Sequence, residues 1–184
     1  VAMDLFRRGE NVFLTGPGGT GKSTLIRAMY NHALDTHKTV QVTALTGRAA
    51  LLLECKATTL HSWAGIGIGN LPLQAYINKI RKNKKFLTAW RDTRILIVDE
   101  ESMMSAKLLH LLLDIAAAIR PRNNSIQFVF AGDFYQLPPV VSQEQEQEQD
   151  QYQDQYQDQD RDRDQDRELR NLMCFQSPRW YTLF

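Results

Sequence analysis

Residues 11–24 read NVFLTGPGGTGKST, and the prediction of the fold of the whole chain starts from them. The first five residues form a short β-prone run, and the residues after Lys22 place apolar side chains at helical spacing. Between them, Gly16 to Ser23 fit the pattern G-x-x-x-x-G-K-[ST], which binds phosphate when a strand precedes it and a helix follows. Both conditions are met, so a chance glycine-rich turn is the less favoured interpretation.

The glycines of this loop let backbone N–H groups turn inward around phosphate oxygens, because no Cβ is in the way. The helix that follows adds the positive end of its dipole. Lys22 is expected to reach the β- and γ-phosphates of a nucleotide, and the Ser23 hydroxyl is expected to ligate Mg²⁺. The predicted nucleotide-binding residues are Gly16, Gly18, Gly19, Thr20, Gly21, Lys22, Ser23 and Thr24.

On both sides of this loop, β-prone runs alternate with helical patterns. Strands are predicted at 11–15, 39–44, 94–98 and 126–131, and helices at 22–36, 49–55, 73–90 and 106–120. The segment 65–72 contains several glycines and a proline and is predicted to be a loop. Such alternation requires crossover connections, which predicts an α/β fold with a mostly parallel sheet flanked by helices. Ligands of such sheets bind at the carboxyl ends of the strands.

Acidic residues follow the apolar strand 94–98 directly. Asp99 is expected to hold the metal ion through water, and Glu100 to take a proton from the attacking water. An ordinary polar strand end is the alternative, and the phosphate loop upstream makes it the weaker one. Glu101 is a third acid, which we interpret as solvated or structural.

Gln136 lies in GDFYQLPP, residues 132–139, directly after the strand 126–131. A glutamine at this place could sense the γ-phosphate and orient water, as glutamines do in other phosphoryl-transfer sites. A proline-rich turn leaving the sheet explains the same residues equally well. Lys22, Glu100 and Gln136 are therefore the candidate catalytic residues.

The formal net charge of +1 averages two unlike parts of the 184-residue chain. Residues 143–168 contain eleven acids and three arginines, which leaves 19 basic against 10 acidic side chains elsewhere. This glutamine-rich insert lacks the apolar residues needed for a core, so it is predicted to be disordered. The basic remainder would attract polyanions such as nucleic acid, although a solvated basic surface is an equal alternative. The insert could imitate a nucleic-acid backbone on that surface or be an inert expansion.

Other site classes have little support in the sequence. Cys55 and Cys174 are far apart and the four histidines are scattered, which argues against a zinc site and favours a reducing, intracellular setting. The most apolar stretch, 108–119, is shorter than a membrane span, so no membrane partner is expected.

Five segments in order resemble the motifs of PIF-type DNA helicases of superfamily 1B, which are related to the RecD helicases. The segments are GPGGTGKST (16–24), VTALTGRAA (42–50), TLHSWAGIG (59–67), IVDEESMM (97–104) and AGDFYQLPPV (131–140). The resemblance covers nearly the whole chain except the insert. It implies a RecA-like P-loop NTPase domain that uses ATP and Mg²⁺ to move 5′-to-3′ along single-stranded DNA and to separate duplexes.

The resemblance also implies residues that lie along the DNA strand. Trp63 could stack on a base, although a core aromatic explains it equally well. A structural histidine is the favoured interpretation of His61. The implied DNA-binding residues are Thr46, Gly47, His61, Ser62 and Trp63.

The domain organisation expected from the resemblance is half of a motor. Residues 1–142 would form the first RecA-like domain, 143–168 the insert and 169–184 a truncated continuation of that domain. The partners would be single-stranded DNA, duplex junctions and a second RecA-like domain of the same parent protein, acting in the nucleus or mitochondrion of a eukaryote. That second domain supplies an arginine finger, so this chain alone is expected to bind nucleotide but hydrolyse it slowly and not unwind DNA. Another P-loop NTPase, such as a switch or nucleotide kinase, and a nucleic-acid-binding remnant without turnover are the alternatives.

Overall fold

The computed structural model describes residues 1–67, 71–120, 124–133, 169 and 172–184. Strands and helices alternate along these residues. The strands are β1 (Val12–Thr15), β2 (Val40–Ala44), β3 (Thr58–Thr59), β4 (Ile95–Asp99) and β5 (Gln127–Gly132). The α-helices are α1 (Ala2–Arg7), α2 (Lys22–Asp35), α3 (Gly47–Leu52), α4 (Leu60–Ala64), α5 (Leu73–Lys82), α6 (Lys84–Asp92) and α7 (Ala106–Ile119). Short 3-10 helices cover Glu101–Met103, Cys174–Gln176 and Trp180–Thr182.

The five strands form one parallel sheet in the order β1-β5-β4-β2-β3. The register pairs Thr15 with Gly132 and Ala44 with Asp99, so the carboxyl ends of four strands are aligned at one edge. We call the edge at which these strands end the carboxyl edge, and the edge at which they begin the amino edge. The predicted α/β fold with a parallel sheet is confirmed.

The sheet is covered on both faces because successive side chains of a strand point to opposite sides. On one face, Leu96, Val98 and Phe130 pack with α4 to α7 and the 3-10 helices of the C-terminal segment. On the other face, Ile97 and Val129 pack with α1, α2 and α3. Every residue of β4 and β5 is buried, which explains why their sequences are almost continuously apolar.

The segment predicted to be helical over 73–90 is helical, but it is divided at Asn83 into α5 and α6. Asn83 has extended backbone angles, and its side-chain oxygen accepts hydrogen bonds from Lys85 N at 3.0 Å and Phe86 N at 3.4 Å. An asparagine can satisfy the first amides of a helix in this way, which favours ending one helix and starting another.

The helix predicted at 49–55 is shifted to Gly47–Leu52. It begins earlier because the Thr46 side chain caps it by accepting from Ala49 N at 3.2 Å. It ends earlier because Glu54 and Lys56 both adopt left-handed backbone angles. Three short elements, α1, β3 and α4, have no counterpart in the prediction, since two to six residues carry too little periodicity.

Residues 172–184 return to the domain beside α7 and the sheet. Ala106 N donates to Leu172 O at 2.8 Å, and Cys174 N donates to Met104 O at 2.9 Å. The Trp180 ring lies 5.1 Å from that of Phe13 and is buried in the core. Both cysteines of the chain are free and buried. Across the part of the chain that the structure describes, no helix is long and apolar enough to cross a membrane.

Candidate nucleotide site and nucleic-acid face

The loop between β1 and α2 turns sharply at its glycines. Gly19 and Gly21 have φ of 79° and 90°, angles that residues with a Cβ rarely adopt. No atom lies within 4 Å of where a Cβ would be at either residue, so the backbone conformation and not crowding requires glycine there. Thr20 Oγ1 donates to Pro17 O at 2.8 Å and braces the turn. The loop is exposed and ends at the first residue of α2.

Lys22 begins α2, and its ammonium group folds back over the loop. Nζ donates to Gly16 O and, at 3.0 Å, to Pro17 O. Ser23, the next residue, is exposed at the same end of the helix. A cation, a free hydroxyl and unpaired helix amides around an open loop suit a phosphate chain and the metal ion that accompanies it.

Asp99 ends β4 and is nearly buried. Burial raises the pKa of this carboxyl, a hydrogen bond from the Glu100 backbone opposes that rise, and the Glu100 carboxylate adds a smaller raising effect. The Lys22 charge acts on Asp99 in the opposite direction. Because β1, β5 and β4 are parallel neighbours, the acid at the end of β4 and the phosphate loop after β1 lie at the same edge of the sheet.

Glu100 is half-buried and left-handed, with φ of 59°. Such angles are uncommon outside glycine and asparagine and often occur at functional sites. The left-handed backbone of Glu100 ends the extended course of β4 abruptly. The Glu100 side chain is therefore set apart from the buried side chains of that strand.

Glu101 is completely buried, so its interpretation as a solvated acid is wrong and the structural alternative holds. The Cys174 thiol donates to its Oε1 at 3.1 Å, whereas its Oε2 has no partner among the described residues. A Cβ on Gly132 would lie only 2.6 Å from Oε2, so the carboxyl packs directly on the end of β5. Burial raises the pKa of Glu101 to about 7, against the smaller opposing effect of the Cys174 hydrogen bond. Glu101 thus joins the segments after β4, at the end of β5 and around Cys174.

Sequence reasoning missed this three-way contact. The sequence signal for it was limited to three consecutive acids at a strand end. One of them, Glu101, had no assigned chemical role. The partner Cys174 is 73 residues away, so no local pattern connects the two. The hydroxyl of Ser102 is buried beside them and also lacks a partner among the described residues.

The first two residues implied to contact DNA lie where β2 leaves the sheet. Thr46 caps α3 with its side chain, and Gly47 is the first residue of that helix. No atom lies within 4 Å of where a Cβ of Gly47 would be, so this helix start is open. Because β2 and β4 end at the same edge, this position shares an edge with Asp99.

The other three implied DNA contacts lie in α4, after β3. Ser62 is exposed, and His61 is half-buried with its pKa lowered by burial. Trp63 is only 7% exposed, and its ring lies 4.7 Å from that of Trp90. Trp90 in turn donates from Nε1 to Ala64 O at 3.0 Å. The stacking contact of Trp63 with a base is therefore not available in this structure, and the core alternative describes it.

Two further predictions concern residues that the structure does not describe. Gln136 and the insert 143–168 lie outside them. Within the described ranges, no group of three or more His, Cys, Asp or Glu side chains could hold a metal ion. The predicted metal ligands, Ser23 and Asp99, are consistent with this, because Mg²⁺ at nucleotide sites is held by few protein groups plus phosphates and water.

A parallel sheet with a glycine-rich loop after its first strand, a helix beginning at Lys22 and an acid ending a buried strand defines a P-loop NTPase domain. The sequence model of the PIF1-like helicases matches residues 2–156. The chain therefore belongs to the PIF1-like helicase family.

Curated relatives agree with this assignment. The chain is 48% identical over 139 residues to the ATP-dependent DNA helicase PIF1 of Candida albicans, which covers 73% of this chain and 15% of that protein. It is 40% identical over 146 residues to the ATP-dependent DNA helicase RRM3 of Saccharomyces cerevisiae, which covers 77% of this chain and 20% of that protein. The chain thus spans about a fifth or less of the length of these relatives.

Solved structures show the same fold. The crystal structure of Pif1 helicase from Candida albicans matches 100% of this chain and 37% of its own, with a TM-score of 0.78 and 37% identity. Bacteroides Pif1 in complex with ADP-AlF4 matches with a TM-score of 0.61 and 28% identity, covering 83% of this chain and 35% of its own.

Proposed function

We propose that the chain is the first RecA-like motor domain of an ATP-dependent DNA helicase. It binds ATP–Mg²⁺ and single-stranded DNA and, joined to its second domain, drives 5′-to-3′ translocation and duplex unwinding. The observation that carries the proposal is that the phosphate loop, Asp99 and the open start of α3 all lie at the carboxyl edge of one parallel sheet. The names of the curated relatives support it.

The residues of the site would divide the work on ATP. The loop amides and Lys22 would hold the phosphates, and Ser23 and Asp99 would hold Mg²⁺, whose hard-cation preference their oxygens match. The metal ion supplies neutralisation of the phosphate charge when bound. Glu100 would accept the proton of the attacking water, and Gln136 would orient that water. The abrupt turn at Glu100 supports its role, because it sets this carboxylate apart from the buried strand.

The DNA strand would run along the carboxyl edge over Thr46, Gly47, His61 and Ser62. Ser62 is exposed and Gly47 is open, so both offer hydrogen bonds or close approach to a sugar–phosphate backbone. Bacteroides Pif1 has been solved bound to single-stranded DNA, and that chain shares this fold at a TM-score of 0.52. Trp63 is omitted from the proposed contacts because it is buried.

The arginine finger would come from the second RecA-like domain. Such a group contributes about 10³–10⁵ in rate in phosphoryl-transfer enzymes. The 184-residue chain alone is therefore expected to bind nucleotide, hydrolyse it slowly and leave duplexes intact. Family membership favours action on DNA in the nucleus or mitochondrion, which imaging of the tagged full-length protein would test.

DNA-stimulated phosphate release by the full-length protein tests the proposal. Lys22→Ala should abolish nucleotide binding, whereas Glu100→Gln should keep binding and lower the rate of hydrolysis by about 10²-fold or more. Matched controls are Lys38→Ala and Glu54→Gln, both exposed and outside the site. Unchanged hydrolysis in either site variant would contradict the assignment.

Unwinding separates the proposal from its alternatives. A P-loop NTPase with another task would hydrolyse ATP without DNA stimulation and would not displace a strand. A nucleic-acid-binding remnant would bind DNA without turnover. The proposal requires both DNA stimulation and strand displacement from a substrate with a 5′ single-stranded tail.

A further inference from the structure

The junction of α5 and α6 carries a dense group of cations that the nucleotide site does not use. Residues 55–91 contain no acidic residue. Five exposed cations surround Asn83, and we call them the basic corner: Lys79, Arg81, Lys82, Lys84 and Lys85. Among the described residues, none of the five forms an ion pair.

Helix electrostatics explain only part of this group. Lys79, Arg81 and Lys82 lie in the last turn of α5, where the negative end of the dipole favours cations. Lys84 and Lys85 are the first two residues of α6, where the positive end disfavours them, and no acid accompanies them in that turn. Local stability would favour acids at these positions, so the two lysines point to an anion that does not belong to these helices.

The basic corner lies beside the end of α7 and belongs to other elements than the proposed contacts of the single strand. Arg81 Nη2 donates to Ala118 O at 3.2 Å, next to the end of α7. Helix α7 starts beyond the carboxyl end of β4 and ends before the amino end of β5, so its last turn is directed towards the amino edge. The proposed strand contacts, in contrast, follow β2 and β3 at the carboxyl edge.

Among the described residues of α5 and α6, no exposed ring offers the aromatic surface that single-stranded nucleic acid needs. Platforms for single strands combine a basic groove with exposed rings on which bases stack. The rings of these helices are turned inward, since Tyr76 and Trp90 are completely buried and Phe86 packs beneath Gly65. A surface with cations and no free ring recognises phosphates rather than bases, which suits a duplex backbone.

We propose that the basic corner is a second DNA contact, which binds the phosphate backbone of duplex DNA at the amino-edge side of the domain. The inference goes beyond the proposed function, because the contact involves neither the nucleotide nor the translocating strand. The five cations lie within seven consecutive residues, so their side chains can reach several consecutive phosphates. Counterions released from those phosphates would favour binding.

The salt dependence of DNA binding by the full-length protein, measured without nucleotide, tests the proposal. Each phosphate contact on B-DNA contributes about 0.9 to the slope of log K against log salt concentration. Lys84→Gln/Lys85→Gln should flatten the slope for blunt duplex by about 1–2 and weaken binding, whereas Lys84→Arg/Lys85→Arg should keep both. Arg7→Gln/Arg8→Gln is the control, because it removes the same number of positive charges from exposed side chains at the end of α1, which pair with Asp4 and Glu10, and it should leave the slope unchanged.

Each other outcome overturns the proposal. An unchanged duplex slope in Lys84→Gln/Lys85→Gln would show that the corner makes no backbone contact. An equal change in the α1 control would show that only net charge matters. A change for a single-stranded oligonucleotide and not for duplex would assign the corner to the other kind of DNA. Lys22→Ala, which tests the proposed function, should not alter the slope, so the two proposals fail independently.

Discussion

Glu101 shows how tertiary contacts redefine a residue that looks ordinary in sequence. Its carboxyl is completely buried. One of its oxygens accepts a hydrogen bond from the Cys174 thiol, and the other has no partner among the described residues. Burying an ionised carboxylate with so little hydrogen bonding is costly, so the group holds its proton to a higher pH. The two preceding acids are less buried, since Asp99 is 9% exposed and Glu100 is half-buried.

Glu101 makes stability depend on pH. Its pKa is raised from 4.5 to about 7, so the folded chain binds more protons than the unfolded chain between those values. The free energy of unfolding therefore falls as pH rises from about 4.5 to about 7, by at most about 3 kcal/mol from this group. Glu101→Gln should remove that fall, as measured by urea unfolding in EDTA between pH 4 and 8.

The exposed Glu54 provides the control for this experiment. Glu54→Gln should leave the pH dependence of unfolding as it is in the natural sequence. If Glu101→Gln and the natural sequence lost stability in parallel across this range, the buried carboxyl would not be the source.

At the scale of elements, side-chain caps mark the start of four of the described α-helices. Thr46, Thr59, Asn83 and Ser105 each accept a hydrogen bond from an amide in the first turn of the helix that follows. Three of these caps, Thr46, Thr59 and Asn83, precede helices that the prediction either placed with other bounds or did not include. Within 73–90, the helix is interrupted at Asn83, whose backbone is extended and whose side chain caps α6.

Replacing the Asn83 cap should weaken α6 selectively. Asn83→Ala removes the acceptor for Lys85 N and Phe86 N and should lower the free energy of unfolding by about 1 kcal/mol. Asn78→Ala is the control, since Asn78 is exposed within α5 and its side chain, among the described residues, bonds only to that of Gln74. Chemical denaturation of both variants would measure the difference, and equal losses would show that the cap contributes nothing.

At the scale of the whole molecule, residues 172–184 complete the core on the α7 face of the sheet. Trp180 contacts the rings of Phe13 in β1 and Phe130 in β5, and Cys174 contacts Glu101 after β4. The segment therefore touches three strands or their ends. It ties the carboxyl edge to a part of the chain that is far away in sequence.

Removing this packing should destabilise the entire domain. Trp180 is 6% exposed, so Trp180→Ala should cost about 3–5 kcal/mol by leaving a large cavity. The adjacent Tyr181 is 75% exposed, and Tyr181→Ala should change stability by no more than about 0.5 kcal/mol. Thermal unfolding would compare the two. A mild effect of Trp180→Ala would mean that the segment is peripheral to the fold.

Much of the fold and part of the site could be predicted because they depend on local patterns. Strands β1, β2, β4 and β5 and helices α2 and α7 lie within about one residue of the predicted bounds. A buried parallel strand is continuously apolar, and an amphipathic helix repeats every 3.6 residues, so both can be identified from neighbouring residues alone. The phosphate loop is similarly local, since its glycines, lysine and serine all lie within eight positions.

The contacts between distant segments depended on the tertiary structure. The strand order β1-β5-β4-β2-β3, the contact of Glu101 with Cys174 and Gly132, and the burial of Trp63 against Trp90 all join residues far apart in the chain. The sequence was sufficient to identify the phosphate loop and the class of sheet, because both follow from local spacing. Which of the three acids is fully buried, and whether Trp63 is exposed or packed in the core, depends on how the chain packs, because burial is a property of the assembled core.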